Sequence, residues 1–382
     1  MILNEQQAMI RDMARAFAQE RLAPHAAEWD KSHYFPKAEL HEMGKLGFLG
    51  IMVPEEWGGA GADAVSMAAI LEELAAGDAG TSTIVSGHNS VACMPIAQFG
   101  TQEQKEKFLR PLAAGEWLGG FALTEAHGGS DAGALSAKAV RKGDNYVLSG
   151  VKQFITTGKH ADIIIAFAKT QPELGSKGIS AFIVPTRTPG YKVVRVELKM
   201  GQHTSDTCQI AFEDLVLPSN LLLGQEGQGY RIALANLESG RIGIAAQALG
   251  IARAAYELAV RYAKERSVFG KAIIDHQAVG FRIARMASKI EAARQLVLHS
   301  AALKDAGLPC LMEACMAKLE ASETAEQVCS DTIQTLGGYG YLSDYPAERL
   351  YRDARITKIY EGTNDIQHLV ILRELQKRIL QG

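Results

Sequence analysis

The segment Arg355-Ile356-Thr357-Lys358-Ile359-Tyr360-Glu361-Gly362-Thr363-Asn364-Asp365-Ile366-Gln367 places one carboxylate, Glu361, in a short break before a final helix. Thr363 and Asn364 are both good N-cap residues, and Asn364 with Gln367 three places on predicts a capping box. Ile366, Leu369, Val370 and Arg373 continue at helical spacing. A carboxylate beside a glycine that permits close backbone approach can serve as a general base. Read alone, an acid next to a cap is explained as well by the helix dipole.

Four other segments hold groups able to bind or react. Phe121-Ala122-Leu123-Thr124-Glu125-Ala126-His127-Gly128-Gly129-Ser130-Asp131 puts two hydroxyls, Thr124 and Ser130, around paired glycines at a strand end. Backbone N–H groups freed by the glycines can face an anionic or carbonyl-rich ligand, although an ordinary turn has the same composition. In Phe154-Ile155-Thr156 the aromatic and the hydroxyl share one face of a strand, fit to stack a flat ring and bond its edge, or to be core Phe and surface Thr. Arg266, followed by Phe269-Gly270 and by His276-Gln277, can grip a phosphate through its fork of N–H groups. Gln334-Thr335-Leu336-Gly337-Gly338-Tyr339-Gly340 ends a helix with three glycines, more than a C-cap needs.

With 382 residues the chain exceeds a single core, and 47% hydrophobic with 22% charged residues is ordinary for a globular protein. A net charge of −3 argues against nucleic acid as a main partner. The small basic clusters (Arg261, Lys264, Arg266; Arg349, Arg352, Arg355, Lys358) suit a phosphate-bearing small molecule better. The start lacks a signal-peptide pattern, and no window approaches 18 uninterrupted apolar residues, so no membrane span is expected. Five cysteines without CxxC spacing fit a reducing cytoplasmic setting. Ten histidines form no ligand pair, and no metal is expected.

The elements that must position these groups fall into three blocks. Residues 1–117 read as an N-terminal α-helical domain, with helices over Gln6–Leu22, Lys37–Leu46, Val65–Ala76, Thr81–Phe99 and Gln102–Leu112. Residues 118–224 read as a small β-barrel or sandwich of short strands, including Phe121–Thr124, Asn145–Gly150 and Phe154–Thr156, with a hairpin turn at Lys142–Asn145. Residues 225–382 return to long helices over 230–265, 275–305, 309–336 and 364–380, an up-down four-helix bundle. The cluster Gly224-Gln225-Glu226-Gly227-Gln228-Gly229 follows no βαβ strand and reads as a linker rather than a dinucleotide fingerprint. The class is α+β, and the lack of strand–helix alternation excludes a doubly wound sheet.

Each motif is weak alone, but their order is specific. Leu123-Thr124-Glu125 with Gly129-Ser130-Asp131, Phe154-Ile155-Thr156, Glu238-Ser239-Gly240-Arg241-Ile242-Gly243-Ile244-Ala245, Arg266 to Gly270, Leu336-Gly337-Gly338-Tyr339-Gly340 and Tyr360-Glu361-Gly362-Thr363-Asn364 together resemble an acyl-CoA dehydrogenase over essentially the whole chain. The resemblance implies FAD-dependent α,β-dehydrogenation of an acyl-CoA to the trans-2-enoyl-CoA. Glu361 matches the family's base, and the β-hydrogen leaves as hydride to flavin N5. The thioester carbonyl is then held by the backbone N–H of the base and a ribityl hydroxyl. Thr124, Ser130, Phe154 and Thr156 match residues at the flavin and pyrophosphate, with Phe154 where tryptophan is frequent. Arg266, Phe269, Gln277, Gln334, Gly337 and Gly338 match residues that hold the ADP half of FAD from a neighbouring subunit. Thr363 and Asp365 match positions near the adenosine end. Arg241, Gly362 and Ser130 match the substrate side.

The resemblance further implies a homo-oligomer, most often a tetramer made of two dimers, and electron-transferring flavoprotein as acceptor. Some members carry the base at the position of Gly240, where glycine cannot serve. The run around Gly240 looks most like short-chain and short branched-chain members, so short straight or methyl-branched acyl groups are expected. Roles in fatty-acid oxidation and in branched-chain amino-acid breakdown both fit. An acyl-CoA oxidase or a flavin monooxygenase of the same fold is the alternative; the first usually has an extra C-terminal region and the second usually lacks the glutamate. A non-catalytic acyl-CoA-binding scaffold predicts no bound flavin.

Overall fold

The protein is described from a computed structural model covering residues 2–381. Helix α1 (Glu5–Phe17) opens on a capping box in which the Asn4 side chain accepts from the Gln7 N–H and the Gln7 side chain accepts from the Asn4 N–H. Next come α2 (Ala26–Ser32), α3 (Lys37–Lys45), α4 (Ala64–Gly77) and α5 (Ala79–Gly87). Helix α4 is apolar almost all round and accordingly buried. Three expected helices are interrupted. Ala18–Leu22 continues α1 as a π-turn, and His88–Cys93 is a π-turn between α5 and α6 (Met94–Phe99). Lys105–Leu109 separates α7 (Gln102–Gln104) from α8 (Arg110–Ala113) in the same way. A π-turn widens the ladder without ending the apolar face, so the sequence pattern reads straight through it.

Eight strands follow: β1 (Gly119–Ala122), β2 (Lys138–Lys142), β3 (Asn145–Thr156), β4 (Ile163–Lys169), β5 (Ile179–Pro185), β6 (Tyr191–Val196), β7 (Thr207–Pro218) and β8 (Leu222–Leu223). They form one sheet in the order β6-β7-β3-β2-β4-β5-β8, with β1 parallel to β4. Strands β4 and β5 are near-continuous apolar runs because both faces are covered. Lys142 pairs with Asn145, leaving Gly143-Asp144 as a two-residue turn with Gly143 at φ +59°. Asn145–Gly150 and Phe154–Thr156, expected as two strands, are one. Its register against β7 slips between Leu148 and Gly150 and again between Lys152 and Ile155. Such bulges break the two-residue alternation, so one strand reads as two pieces.

Helices α9 (Gly229–Glu265), α10 (Gln277–Asp305), α11 (Leu311–Leu336) and α13 (Asn364–Gln381) are the expected bundle. A minimal hairpin of β9 (Ser267–Val268) and β10 (Lys271–Ala272) joins α9 to α10. Helix α12 (Ala347–Arg355) was not anticipated; it is short and charge-rich, and buries only Ala347, Leu350, Asp353 and Ala354. One apolar core joins the N-terminal helices to the bundle, with Leu22, Met43, Leu71 and Leu74 against Ile242, Leu249, Met286 and Val297. A second core joins Phe108 and Leu112 to Tyr146, Phe167, Phe182 and Ile232, tying the sheet to both helical blocks. Each such side chain contributes about 1.5–3 kcal/mol on burial, so the three blocks are held in fixed register around the cleft between them.

Candidate active site

That cleft, about 380 Å³, lies between the ends of β1 and β3 and the α9–α13 face of the bundle. Thr124, Gly129, Ser130, Phe154 and Thr156 line it from the sheet side, and Arg241, Tyr360, Glu361 and Gly362 from the bundle side. The loop after β1 is anchored from below. Glu125 is buried and pairs with Lys152, which has no exposed surface, at 2.8 Å. Glu125 also accepts from the backbone N–H of Ser136 at 2.7 Å and of Ala137 at 3.0 Å. Burial opposes ionisation of Glu125, but the Lys152 ammonium and the Ser136 donors outweigh it and hold the carboxyl at about 2. Desolvation pulls Lys152 down to about 8 despite that partner.

Phe154 sits at the second slip of β3 with φ +61° and 62% of its surface exposed. A bulky residue in the left-handed region, presenting its ring to a cleft, is strained toward a binding role rather than a packing one. Thr156 follows on the same cleft wall.

Glu361 is held in a left-handed turn, φ +55°, followed by Gly362 at φ +88°. Its carboxyl lies over the backbone of Gly240 in α9: a Cβ placed there would be 2.6 Å from Oε2. Oε2 is sealed from solvent and has no hydrogen-bond partner among the described residues, and the same holds for Nε of the buried Arg241. Burial pushes the Glu361 carboxyl up to about 7, against the opposing pull of Arg241 and then Lys318. Among the described residues nothing accepts from the Glu361 backbone N–H. The preceding Tyr360 hydroxyl is fixed from behind by Thr83 at 3.3 Å, by Gln202 at 3.3 Å and by Gln247.

The helix cap differs from expectation. Asn364 is the first residue of α13, and the cap is Thr363, whose Oγ1 accepts from the Ile366 N–H at 3.3 Å. The Asn364 side chain is instead engaged by Lys318 at 2.9 Å and by Ser322 at 3.2 Å. Gln367 turns back to donate to the Gly362 carbonyl at 2.8 Å.

A second groove, about 800 Å³, is lined by Arg266, Phe269, His276, Thr335, Gly337, Gly338 and Tyr339. Phe269 is 92% exposed there, and a Cβ on either Gly337 or Gly338 would meet nothing within 4 Å. An exposed arginine, an exposed aromatic ring and bare backbone can receive a charged ring-bearing ligand. Gln277 and Gln334 are exposed but line neither hollow; Asp365 is exposed at the start of α13, and Thr363 is committed to its cap. Of the sequence residues, Thr124, Ser130, Phe154, Thr156, Arg241, Glu361 and Gly362 gather at the cleft, and Arg266, Phe269, Gly337 and Gly338 at the separate groove.

Sequence reasoning missed Lys152, Lys318, Gln202 and Gln247 as parts of the site. Lys318 carried a legible signal, since it falls on the helix face shared by Ala314, Cys315, Ala317, Ala321 and Ser322. Among the described residues no group of histidine, cysteine or acidic side chains is arranged to hold a metal ion, and no helix is long and apolar enough to cross a membrane.

Models of the acyl-CoA dehydrogenase N-terminal, middle and C-terminal domains match residues 4–116, 120–215 and 227–376. An acyl-CoA dehydrogenase of Bacillus subtilis (strain 168) is 50% identical over 375 residues, 98% of this chain and 99% of that protein. The mitochondrial short-chain specific acyl-CoA dehydrogenase of Bos taurus is 47% identical over 375 residues, 98% of this chain and 91% of that protein. A chain solved in work on the electron transferring flavoprotein of Acidaminococcus fermentans and flavin-based electron bifurcation superposes with a TM-score of 0.97 at 50% identity, covering 98% and 99% of the two chains. The chain belongs to the acyl-CoA dehydrogenase family, whose members are FAD-dependent oxidoreductases.

Proposed function

We propose that this protein dehydrogenates a short straight or methyl-branched acyl-CoA, with Glu361 removing the α-proton. The observation that carries the reading is the Glu361 carboxyl: it lines a cleft whose opposite wall is an exposed aromatic ring, and its Oε2 is sealed from water with no hydrogen-bond partner among the described residues. A carboxyl raised to about 7 is matched to taking a proton from a weak carbon acid near neutral pH. The unused Glu361 N–H, in the same left-handed turn, would donate to the thioester carbonyl as enolate charge develops. Arg241 supports the ionised form of the base before reaction. Tyr360, fixed by Gln202 and Gln247, keeps the turn and its carboxyl from drifting.

The residues present fit FAD. Thr124, Ser130, Phe154 and Thr156 would hold the flavin end in the cleft, where the strained and exposed Phe154 otherwise has no purpose. Arg266, Phe269, Gln277, Gln334, Gly337 and Gly338 would serve the ADP half from a neighbouring copy, with Thr363 and Asp365 near the adenosine. FAD, when bound, supplies the two-electron acceptor for the hydrogen leaving the β-carbon. The separation of the two hollows supports a homo-oligomer, a dimer of dimers in this reading. Electron-transferring flavoprotein is the proposed acceptor, supported by the likeness to the Acidaminococcus chain. Short acyl groups are supported by the Bos taurus relative, and a reducing cytoplasm by five free, buried cysteines. Domain limits at 117/118 and 224/225 belong to the same reading, supported by β1 opening at Gly119 and α9 at Gly229.

The holoprotein, mixed anaerobically with butyryl-CoA, is expected to lose its visible flavin absorption, and Glu361→Gln to lose it at least about a thousandfold more slowly. Bleaching of the variant at the parent's rate would remove Glu361 as the base.

A further inference from the structure

Lys318 lies in the middle of α11 with no exposed surface. The helix face around it is made of alanine, cysteine and serine, so nothing about packing calls for an ammonium there. Its two hydrogen bonds both go to neutral oxygens of the catalytic segment: the Gly362 carbonyl at 2.9 Å and Asn364 Oδ1 at 2.9 Å. No carboxylate is hydrogen-bonded to it among the described residues, so its charge is not neutralised in place. Of the charges around it, that of Glu361 acts on it most strongly.

The segment that Lys318 touches needs holding. Glu361 and Gly362 are two successive left-handed residues outside any helix or strand, and Glu361 is not a residue that adopts that conformation freely. Besides Lys318, the described side chains that hold the Gly362 carbonyl reduce to the Gln367 amide.

We propose that Lys318 is the positioning residue of the base: its ammonium grips the Gly362 carbonyl so that the left-handed turn aims the Glu361 carboxyl across Gly240, and its charge favours the carboxylate together with Arg241. This rests on the reading of Glu361 as the base. The charges acting on the carboxyl are Arg241 from α9 and Lys318 from α11; Tyr360 adjoins it, Arg373 of α13 lines the same cleft, and Cys315 and Lys358 act in turn on Lys318. Of these, Arg241 and Lys318 draw the carboxyl down from the value that burial sets, and desolvation leaves Lys318 itself lowered to about 8.

The test is the pH dependence of kcat/KM for butyryl-CoA with a dye acceptor, in Lys318→Gln and Lys318→Met holoenzymes. Glutamine keeps an N–H donor without the charge, and methionine removes both. In each, the low-pH limb is expected to move up by roughly one unit, giving about a tenfold loss below the limb and a rate that climbs back toward the parent's at alkaline pH. The methionine variant should also show a lower plateau than the glutamine variant. A profile parallel to the parent's, reduced equally at every pH, means that Lys318 only packs and overturns the proposal. If Lys318→Met does not fold, the profile of Lys318→Gln decides alone. Glu361→Gln is run in the same assay: parent-like turnover there defeats the base assignment, an outcome separate from any shift at Lys318.

Discussion

The Glu361 carboxyl rests directly on Gly240: a Cβ at position 240 would stand 2.6 Å from Oε2, 2.8 Å from the carboxyl carbon and 3.1 Å from Oε1. Gly240 lies inside α9, where alanine is favoured over glycine by about 1 kcal/mol. Gly240→Ala should therefore keep or raise the melting temperature while it pushes the carboxyl aside. Misplacement of a reacting group by an ångström costs on the order of a hundredfold in rate. We expect kcat to fall by about that factor with Tm unchanged or higher, and parent-like kcat in a well-folded Gly240→Ala protein would contradict the placement.

Two buried carboxyls give activity and stability opposite pH dependences. Burial raises Glu361 from 4.5 to about 7, against Arg241 and Lys318. It also raises Asp353 from 3.8 to about 7, against the N–H of Gln202 and the charge of Arg349. For activity, kcat/KM should climb through about pH 7 as Glu361 loses its proton. For stability, each folded-state value lies above the unfolded one, so the folded state binds protons more tightly. Their contribution is fully present below about pH 4 and is lost as pH rises through about 7. Asp353→Asn keeps the acceptor for Gln202 and cannot titrate. The difference in unfolding free energy between parent and variant, followed by denaturant titration, should decline across that window; a difference that stays flat would place the Asp353 value near its ordinary one.

Glu361, Gly240, Phe154 and Thr156 were singled out by the resemblance, because local sequence left each with an ordinary structural reading; Glu361, Phe154 and Thr156 line one cleft, with Gly240 against the carboxyl. What was not legible depends on distant partners. Thr363 and Asn364 are equally good caps in isolation, and the choice is made by Lys318 and Ser322, more than forty positions away, which claim the Asn364 side chain. The break of β3 into two apparent strands reflects bulges against β7, which no one-strand pattern reveals. Helix α12 escaped because its apolar stripe is Ala347, Leu350 and Ala354 among charges. The resemblance assigned the Arg266 group to a neighbouring subunit's cofactor, and on this chain Arg266, Phe269, Gly337 and Gly338 line a hollow separate from the cleft.

Phe154 separates cofactor binding from folding. Its ring is 62% exposed and its backbone is left-handed, so Phe154→Gly loses little packing and relieves strain of on the order of 1 kcal/mol. The apoprotein should unfold at equal or higher denaturant, while flavin copurifying with the variant should fall severalfold. Flavin content is read from the visible spectrum after desalting. Full retention of flavin in Phe154→Gly would show that the ring does not support it.

The Lys152–Glu125 pair tests how the loop carrying Thr124 and Ser130 is held. Both side chains are buried, their atoms lie 2.8 Å apart, and Lys152 also donates to the Leu123 carbonyl at 3.1 Å. A buried pair is weak evidence of net stabilisation, because desolvation offsets most of the attraction; removing one partner is another matter, since the other is left charged in a closed space. Lys152→Met should therefore cost about 3–5 kcal/mol in denaturant unfolding. Glu125 would then be driven from its value of about 2 toward protonation, loosening the bonds from Ser136 and Ala137 that shape the loop. The double variant Lys152→Met/Glu125→Gln removes both charges and keeps an acceptor for Ser136, so it should recover most of that loss. If instead the two substitutions simply add, the pair is not coupled and the loop is held by its backbone bonds alone.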